Sequence, residues 1–198
     1  MKVDTHIHSI YSDGLSTIEE IAREARAKGL DAVFITDHDK LYSGPKELFG
    51  VKLLRGEEVS SKSGHILALF IEERIPPGLS AEETVERIHE AGGIAIAAHP
   101  FDRLRKGIGK KLFELDVDAI EINGYVLRPT ANDLAIKAAQ KLNKPLTAGT
   151  DAHYAKHVGY CYMLVEELSP EGILRGEPRC KIVPLRKRLS VYLRRKIR

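Results

Sequence analysis

Apolar segments with strand character alternate with segments of helical periodicity along most of the chain, and this alternation constrains the fold most. The apolar runs occupy residues 2–4, 32–36, 51–59, 66–71, 94–98, 119–122 and 146–148. Helix signals lie between them: Ser16 with Glu19 and Ser80 with Glu83 have capping-box spacing, and alanines recur helically from Ala131 to Leu142. Such alternation predicts an α/β fold whose parallel strands form either a barrel or an open sheet.

Charge divides the chain into two unequal parts. Residues 185–198 contain seven Lys or Arg and no acid, whereas residues 1–184 carry 24 basic and 28 acidic side chains. We therefore predict a barrel domain over 1–184 and a basic amphipathic tail over 185–198, with an apolar stripe at every fourth position (Leu185, Leu189, Leu193 and Ile197). Two interpretations of the tail stay open: the stripe packs on the body, or the charges contact nucleic acid or an anionic membrane.

Several classes of protein are excluded by composition. No apolar run approaches the ~20 residues that a transmembrane helix needs. The amino end meets Asp4 at once and has no apolar signal region, which predicts a cytoplasmic protein. Two cysteines, Cys161 and Cys180, are too few for a disulfide framework, so we expect reduced thiols.

Most histidines lie at or just beyond a predicted strand end, close to carboxylates. Because the carboxyl ends of parallel strands share one face, these residues should converge, and a hairpin after Glu58 would keep His65 at the same end. The converging set contains six imidazoles and three carboxylates: His6, His8, Asp13, His38, Glu58, His65, His99, Asp151 and His153. We expect Asp37 and Asp39 to orient ligands or cap the turn, and His89 and His157 to be ordinary surface and loop residues.

The spacing within this set favours metal binding. His6 with His8 and Asp151 with His153 are two residues apart, so in extended chain each pair points to one side. One ion takes three or four protein ligands, so nine groups imply two or three divalent ions. Mixed nitrogen and oxygen donors suit Zn, Mn or Fe. A bridging hydroxide and an anionic substrate would complete the coordination, which points to phosphate ester hydrolysis.

The motifs around these residues resemble those of the PHP family, named for polymerase and histidinol phosphatase. The resemblance runs in order from Met1 to Gly159 through Asp4-Thr5-His6-Ile7-His8-Ser9, Ser12-Asp13-Gly14, Thr36-Asp37-His38-Asp39, Gly56-Glu57-Glu58-Val59-Ser60, Gly64-His65-Ile66-Leu67, Ala98-His99-Pro100 and Gly149-Thr150-Asp151-Ala152-His153. The family pattern selects Glu58 rather than Glu57 as the ligand.

The resemblance implies a distorted (β/α)7 TIM-like barrel with a trinuclear metal site at the carboxyl ends of the strands. It implies one ion at His6, His8, Glu58 and Asp151, a second at Glu58, His65 and His99, and a third at Asp13, His38 and His153. All nine positions are filled here, as expected of an active member rather than a scaffold.

The leading functional hypothesis is a metal-dependent phosphoesterase acting on a phosphorylated small molecule, or on a nucleotide or oligonucleotide end. A metal-bridging hydroxide held by Glu58 and Asp151, with His153 and Asp13 nearby, would attack phosphorus. Lys40, Arg103 and Arg128 are candidates to bind phosphate oxygens, and Tyr11 and Asn123 to line the mouth. The alternatives are a histidinol-phosphate phosphatase, a nucleic-acid-binding module that uses residues 185–198, and a zinc amidohydrolase.

Overall fold

A computed structural model describes residues 1–196, without the side chains of residues 192 and 194–196. Ten strands and five α-helices follow one another in this part of the chain. The strands are β1 (Lys2–Asp4), β2 (Ala32–Ile35), β3 (Glu47–Leu48), β4 (Val51–Ser60), β5 (His65–Leu69), β6 (Ile94–Ala97), β7 (Ala119–Asn123), β8 (Leu146–Gly149), β9 (Cys161–Leu164) and β10 (Glu177–Cys180). The helices are α1 (Ile18–Ala27), α2 (Ala81–Glu90), α3 (Thr130–Leu142), α4 (Pro170–Arg175) and α5 (Leu185–Lys196).

Capping boxes begin the first two helices. Ser80 and Glu83 form the predicted box of α2. The box of α1 is shifted by one residue from the prediction: Thr17 accepts from the backbone of Glu20, whose side chain accepts from the Thr17 backbone. Ser16 is not free to cap, because its hydroxyl accepts a hydrogen bond from the Ala155 backbone at 3.1 Å.

The sheet positions the carboxyl ends of its strands around one centre. Its order is β10-β9-β1-β2-β4-β5-β6-β7-β8, and β3 pairs only with β4. The pairs β1–β2, β2–β4, β6–β7 and β7–β8 are parallel, whereas β5 runs antiparallel to both β4 and β6. The β4–β5 pairing is the hairpin predicted after Glu58, with Ser60 opposite His65.

The sheet curves into a nearly closed barrel. The chain beyond β1 meets the chain beyond β8, where Ile7 and Ala152 form a parallel bridge. Within this bridge the His8 backbone donates to Ala152 at 2.9 Å and the Asp151 backbone donates to His6 at 2.7 Å. The mixed α/β prediction is confirmed. The sevenfold strand–helix repeat is not, because a hairpin joins β4 to β5 and no α-helix lies between β2 and β4 or between β6 and β7.

The strands that the sequence pattern missed lie at or next to the margins of the sheet: β10 ends the strand order, β9 is its neighbour, and β3 pairs only with β4. All seven predicted strands are present, but β3, β9 and β10 were not expected. Strand β10 contains Glu177 and Pro178, residue types depleted in strands, and pairs antiparallel with β9. Pairing with a neighbour, rather than intrinsic preference, therefore forms these strands.

The prediction of two reduced cysteines is wrong. Cys161 on β9 stands directly opposite Cys180 on β10, and the two sulfurs form a disulfide. Counting cysteines could not reveal this bond, because it depends on a register between two strands that the sequence pattern did not predict.

Apolar residues fill the barrel and cover its outside. One cluster draws on most strands and includes Val3, Phe34, Leu67, Ile96 and Ala148. Two further clusters pack the sheet against α1 and against α2 with α3. Most of the buried ionisable side chains lie at the end of the barrel where the parallel strands finish.

The basic tail forms α5, although its leucine stripe does not pack as one interpretation expected. Leu185, Leu189 and Leu193 are 56%, 50% and 59% exposed, whereas Val191, outside the stripe, is 2% exposed. Ile197, the last member of the stripe, lies outside the described residues. The division into domains at residue 184 stays a prediction. Among residues 1–196, no helix combines the length and apolar character needed to cross a membrane.

Candidate metal centre

The structure brings all nine predicted residues to one end of the barrel. Four overlapping groups place their donor atoms within 4.8 Å of one another. These groups are His8, Asp13, His38 and His153; His6, His8 and Glu58; His6, His99 and Asp151; and His38, Glu58 and His65. All are buried except Asp13 and His38, which are half-buried. Their convergence is thus observed, and their role as metal ligands stays a prediction.

Glu58 lies at the centre of the cluster. Its Oε1 is 2.9 Å from His65 Nδ1 and 3.0 Å from His99 Nε2. Its Oε2 is 3.3 Å from His6 Nε2, 3.1 Å from His8 Nε2 and 3.1 Å from His38 Nδ1. The alternation of β4 turns Glu57 to the opposite face, where it accepts from the Ile75 backbone at 3.1 Å. Five imidazoles therefore surround one carboxylate.

Three donor atoms, His6 Nε2, His8 Nε2 and Glu58 Oε2, have spacings close to those of a tetrahedral site, and Asp151 Oδ1 lies near both imidazoles. His6 Nε2 lies 3.1 Å from His8 Nε2. Asp151 Oδ1 lies 3.2 Å from His8 Nε2 and 3.7 Å from His6 Nε2, and the contacts with Glu58 are as given above. Metal–ligand bonds of about 2.0–2.1 Å in a tetrahedron separate the ligands by about 3.3–3.4 Å. The residues present therefore fit a divalent ion.

The third implied group lies nearer to solvent. His153 Nε2 lies 3.1 Å from Asp13 Oδ1, and His38 Nε2 lies 3.7 Å from Asp13 Oδ2. The side chains of His38 and Asp13 are 25% and 29% exposed, against 3% for that of His153. This side of the cluster is therefore the most exposed to solvent.

Unsatisfied buried atoms support the same fit. His65 Nε2 and His99 Nδ1 are buried and make no hydrogen bond with any residue from 1 to 196. Buried polar atoms without partners are costly and uncommon, and an imidazole nitrogen is a favoured ligand of transition metals. These two nitrogens are therefore available to bind a cation.

Two of these residues sit in strained backbone at their strand ends. His99 has φ of 29° and Asp151 has φ of 60°, in the left-handed region that residues other than glycine rarely adopt. Such strain persists only where the surrounding structure enforces it, and it is concentrated at functional sites. Here it turns both side chains into the cluster.

Charge in the cluster is balanced by protons. Burial would raise the pKa of Glu58, but the imidazoles of His6, His65 and His38 lower that pKa well below its ordinary value. Burial would lower the pKa of His8, but Asp151 and Glu58 raise it to about 9. Glu58 is therefore ionised beside a protonated His8, whereas burial lowers the pKa of His38 to about 4 and also lowers the pKa of His153, which keeps these two imidazoles neutral. A divalent cation would displace the His8 proton and take over its charge.

Supporting contacts orient the cluster. Glu121 Oε1 lies 2.8 Å from His6 Nδ1, and Glu121 Oε2 accepts from the His99 backbone at 2.8 Å. Asn123 donates to Glu121 at 2.9 Å and to Asp151 at 3.3 Å. Glu121 was missed because a glutamate in an apolar strand gives no motif signal.

Asp37 and Asp39 accept hydrogen bonds from residues of the loops around the cluster. Asp37 accepts from the Ser9 backbone at 2.8 Å and from the Ser9 and Ser12 hydroxyls at 2.5 Å, which fixes the loop that carries Asp13. Asp39 accepts from the Ser60 backbone at 2.7 Å. His89 is a surface residue, as predicted, and pairs with Asp118 at 2.8 Å.

The predicted phosphate-binding side chains are not those nearest the cluster. Lys40 donates to the Tyr11 carbonyl and lines a cleft of about 580 Å³ beside Asp37, together with Tyr11 and Arg74. Arg103 and Arg128 are exposed.

Arg105 is the basic side chain that reaches the cluster. Its Nη1 lies 2.7 Å from Asp151 Oδ2, and its guanidinium lies 5.4 Å from the centre of the Tyr125 ring. The loop between β6 and β7 contains several basic residues, and the sequence pattern could not show which one turns inward.

Comparisons with known proteins find similar sequences. A family model described as PHP-associated matches residues 129–176. An uncharacterised protein of Methanocaldococcus jannaschii is 39% identical over 158 residues, which cover 71% of this chain and 92% of the relative. A protein of Acetivibrio thermocellus named as a probable phosphatase is 27% identical over 214 residues, covering 84% of this chain and 86% of the relative.

A solved structure shares the fold. It is a two-domain protein from Bacteroides vulgatus, described as containing a predicted PHP-like metal-dependent phosphoesterase. It matches with a TM-score of 0.68 at 19% identity, covering 98% of this chain and 69% of the other.

Proposed function

The chain belongs to the PHP family, and from that premise we propose that it is a metal-dependent phosphoesterase. The observation that carries the proposal is the buried cluster of imidazoles around Glu58, with donor atoms at the spacing of a metal site. Relatives named as probable phosphatases support the reaction class.

The proposed ligand sets follow the contacts in the cluster. His6, His8, Glu58 and Asp151 would hold one ion; Glu58, His65 and His99 would hold a second; Asp13, His38 and His153 would hold a third. Zn, Mn and Fe suit these donors. When bound, such ions polarise a phosphoryl group and lower the pKa of water toward ~7, which supplies a nucleophile near neutral pH.

The protein's own side chains prepare the site for an anion. Arg105 bonds to Asp151, whose charge a cation would also satisfy, so its guanidinium is available to a phosphate oxygen once a cation is present. Glu58 and Asp151 are proposed to position the attacking hydroxide, with His153 and Asp13 beside it. Glu121 and Asn123 hold His6 and Asp151 in orientation.

The experiment is phosphate release by chelator-stripped protein, before and after addition of Mn or Zn. We expect release only with metal, and a loss of at least about 100-fold in His6→Ala and Asp151→Ala, since each change removes a ligand. The matched control is His89→Ala, because this surface histidine contacts Asp118 away from the cluster. A metal-loaded protein inactive on monoesters and diesters would overturn the proposal, and activity confined to amides would favour an amidohydrolase.

The finer substrate assignment, a nucleotide or oligonucleotide end rather than histidinol phosphate, is also a proposal. Direct comparison of kcat/KM for a nucleoside monophosphate, a short oligonucleotide and histidinol phosphate tests it. Preference for histidinol phosphate would contradict it. If residues 185–198 contact nucleic acid, the affinity of the protein for nucleic acid should fall steeply as the salt concentration rises.

A further inference from the structure

Helix α5 is attached to the body beside the metal centre. Arg188 Nη1 donates to the backbone carbonyls of Tyr125 at 3.1 Å and Val126 at 2.6 Å, in the loop after β7. Lys187 donates to the Tyr160 hydroxyl at 2.7 Å, and Val191 is buried. These contacts place the helix next to the loop that carries Tyr125.

A cleft of about 420 Å³ lies between α5 and the body, and its inner end reaches the cluster. His153 and Arg105 line this end. The outer part is apolar, and its leucines come from three parts of the chain: Leu104, Leu127, Leu185 and Leu189. Leu104 is 80% exposed and Leu127 is 42% exposed. The cleft therefore joins an apolar surface to the site of the proposed reaction.

Two guanidinium groups give the cleft a positive inner side. Arg105 pairs with Asp151, whereas no carboxylate among residues 1–196 lies within ion-pair distance of Arg188, which bonds only to neutral carbonyls. Arg188 Nε is also buried without a hydrogen-bond partner in that part of the chain. Burial and the nearby Arg105 lower the pKa of Arg188. An anion at this end would relieve the repulsion between the two groups.

We propose that this cleft binds the organic part of the substrate, so that the enzyme prefers phosphate esters of alcohols that carry an apolar or aromatic group. The inference rests on the proposed function. The phosphate would lie at the end formed by Arg105 and His153, and the apolar group would lie among Tyr125, Leu127 and Leu189. Continuity of the leucine-lined wall with the cluster favours a substrate over a protein partner as the occupant.

The test compares two esters that differ only in the apolar group, 2-phenylethyl phosphate and ethyl phosphate. One methylene in an apolar pocket changes kcat/KM by about 10–200-fold, so we expect the metal-loaded protein to prefer the phenylethyl ester at least about tenfold. Leu189→Ser and Leu127→Ser should each reduce this preference at least about fivefold. The control Leu193→Ser changes an exposed leucine of the same helix that does not line the cleft and should leave the preference unchanged.

A binding measurement separates this inference from the catalytic proposal. By calorimetry, 2-phenylethylphosphonate should bind more tightly than ethylphosphonate, and Leu189→Ser should remove the difference. Equal kcat/KM for both esters with equal phosphonate binding would overturn the inference while leaving the phosphoesterase intact. If Leu189→Ser dissociates a dimer and leaves the ester preference unchanged, the cleft is a contact between subunits. That result would also overturn the inference. Failure to hydrolyse any phosphate ester would overturn both proposals.

Discussion

His6 is held by carboxylates on both of its ring nitrogens. Nδ1 lies 2.8 Å from Glu121, and Nε2 lies 3.3 Å from Glu58 within the cluster. A carboxylate on one ring nitrogen fixes the tautomer and the orientation of the ring and leaves the other nitrogen for a metal. Glu121 therefore prepares His6 for coordination without itself belonging to the proposed ligand sets.

Replacement of Glu121 tests this division of roles. Glu121→Gln should weaken metal affinity about 10–100-fold, because the amide cannot anchor His6 as a carboxylate does. Competition between the protein and a chelating dye measures the affinity. Glu166→Gln, at an exposed position, is the control. Unchanged affinity in Glu121→Gln would show that Glu121 is not needed to orient His6.

His157 makes stability depend on pH outside the proposed ligands. Its Nδ1 lies 2.5 Å from the Tyr125 hydroxyl, and Lys187, Lys28 and His153 face it. Burial, with these charges, lowers its pKa from 6.5 to about 4. The folded state thus binds fewer protons than the unfolded state between these pH values, so stability is lost as pH falls through this window.

The expected result is a smaller loss of stability in acid for His157→Gln, whose side chain can still hydrogen-bond with Tyr125 but does not titrate. The difference in free energy of unfolding between wild type and variant should change between pH 6.5 and pH 4 and stay constant above pH 7.5. Urea titrations across this range provide the values. A difference that does not vary with pH would rule out the titration of His157 as the cause.

Among individual residues, the sequence predicted those whose position at the end of a strand identifies them. Histidines and carboxylates at strand ends were brought together because strand order and direction place them there. Glu121 and Arg105 were missed for a different reason: their side-chain directions depend on packing that neither periodicity nor spacing encodes.

Among the elements, strands β9 and β10 pair with each other at one end of the sheet and are joined by the bond between Cys161 and Cys180. These cysteines are separated by 19 residues in the sequence. Closing a loop of roughly this length in the unfolded chain contributes about 3 kcal/mol to stability.

Cys180→Ser should therefore lower the free energy of unfolding by about 3 kcal/mol. Chemical denaturation measures the change, and reductant added to wild type should produce a similar loss. The double variant Cys161→Ser with Cys180→Ser should not respond to reductant. A wild-type protein insensitive to reductant, with two titratable thiols, would contradict the disulfide.

Strand prediction from the sequence failed for strands that are not apolar. The seven predicted strands are apolar, so their sequences alone favour buried strands. Strands β3 and β10 include Glu47 and Glu177, and they form because a partner offers backbone hydrogen bonds. This pairing depends on residues that are distant in the sequence, and a local sequence pattern does not reveal it.

For the molecule as a whole, barrel closure and the metal centre are coupled. The bridge between Ile7 and Ala152 lies between His6 and His8 on one chain segment and between Asp151 and His153 on the other. The segments that close the barrel are thus those that carry four of the proposed ligands. Metal bound there would link the first and last strands of the barrel.

We therefore expect divalent metal to stabilise the fold. At a concentration about 100 times the dissociation constant, a ligand specific for the folded state contributes about 2.7 kcal/mol. For a chain of this size that raises Tm by about 5–11 °C. Calorimetry with and without Mn or Zn measures the shift. Asp151→Ala should abolish most of it, and His89→Ala should retain it.

The central claim is that six separate stretches of this chain form one centre for divalent cations, and anomalous X-ray diffraction from crystals grown with Mn or Zn tests it most directly. We predict two or three anomalous peaks within bonding distance of His6, His8, Glu58 and the other proposed ligands, with the strongest peak among His6, His8, Glu58 and Asp151. Crystals that bind the metal only elsewhere, with no peak inside the cluster, would contradict the account.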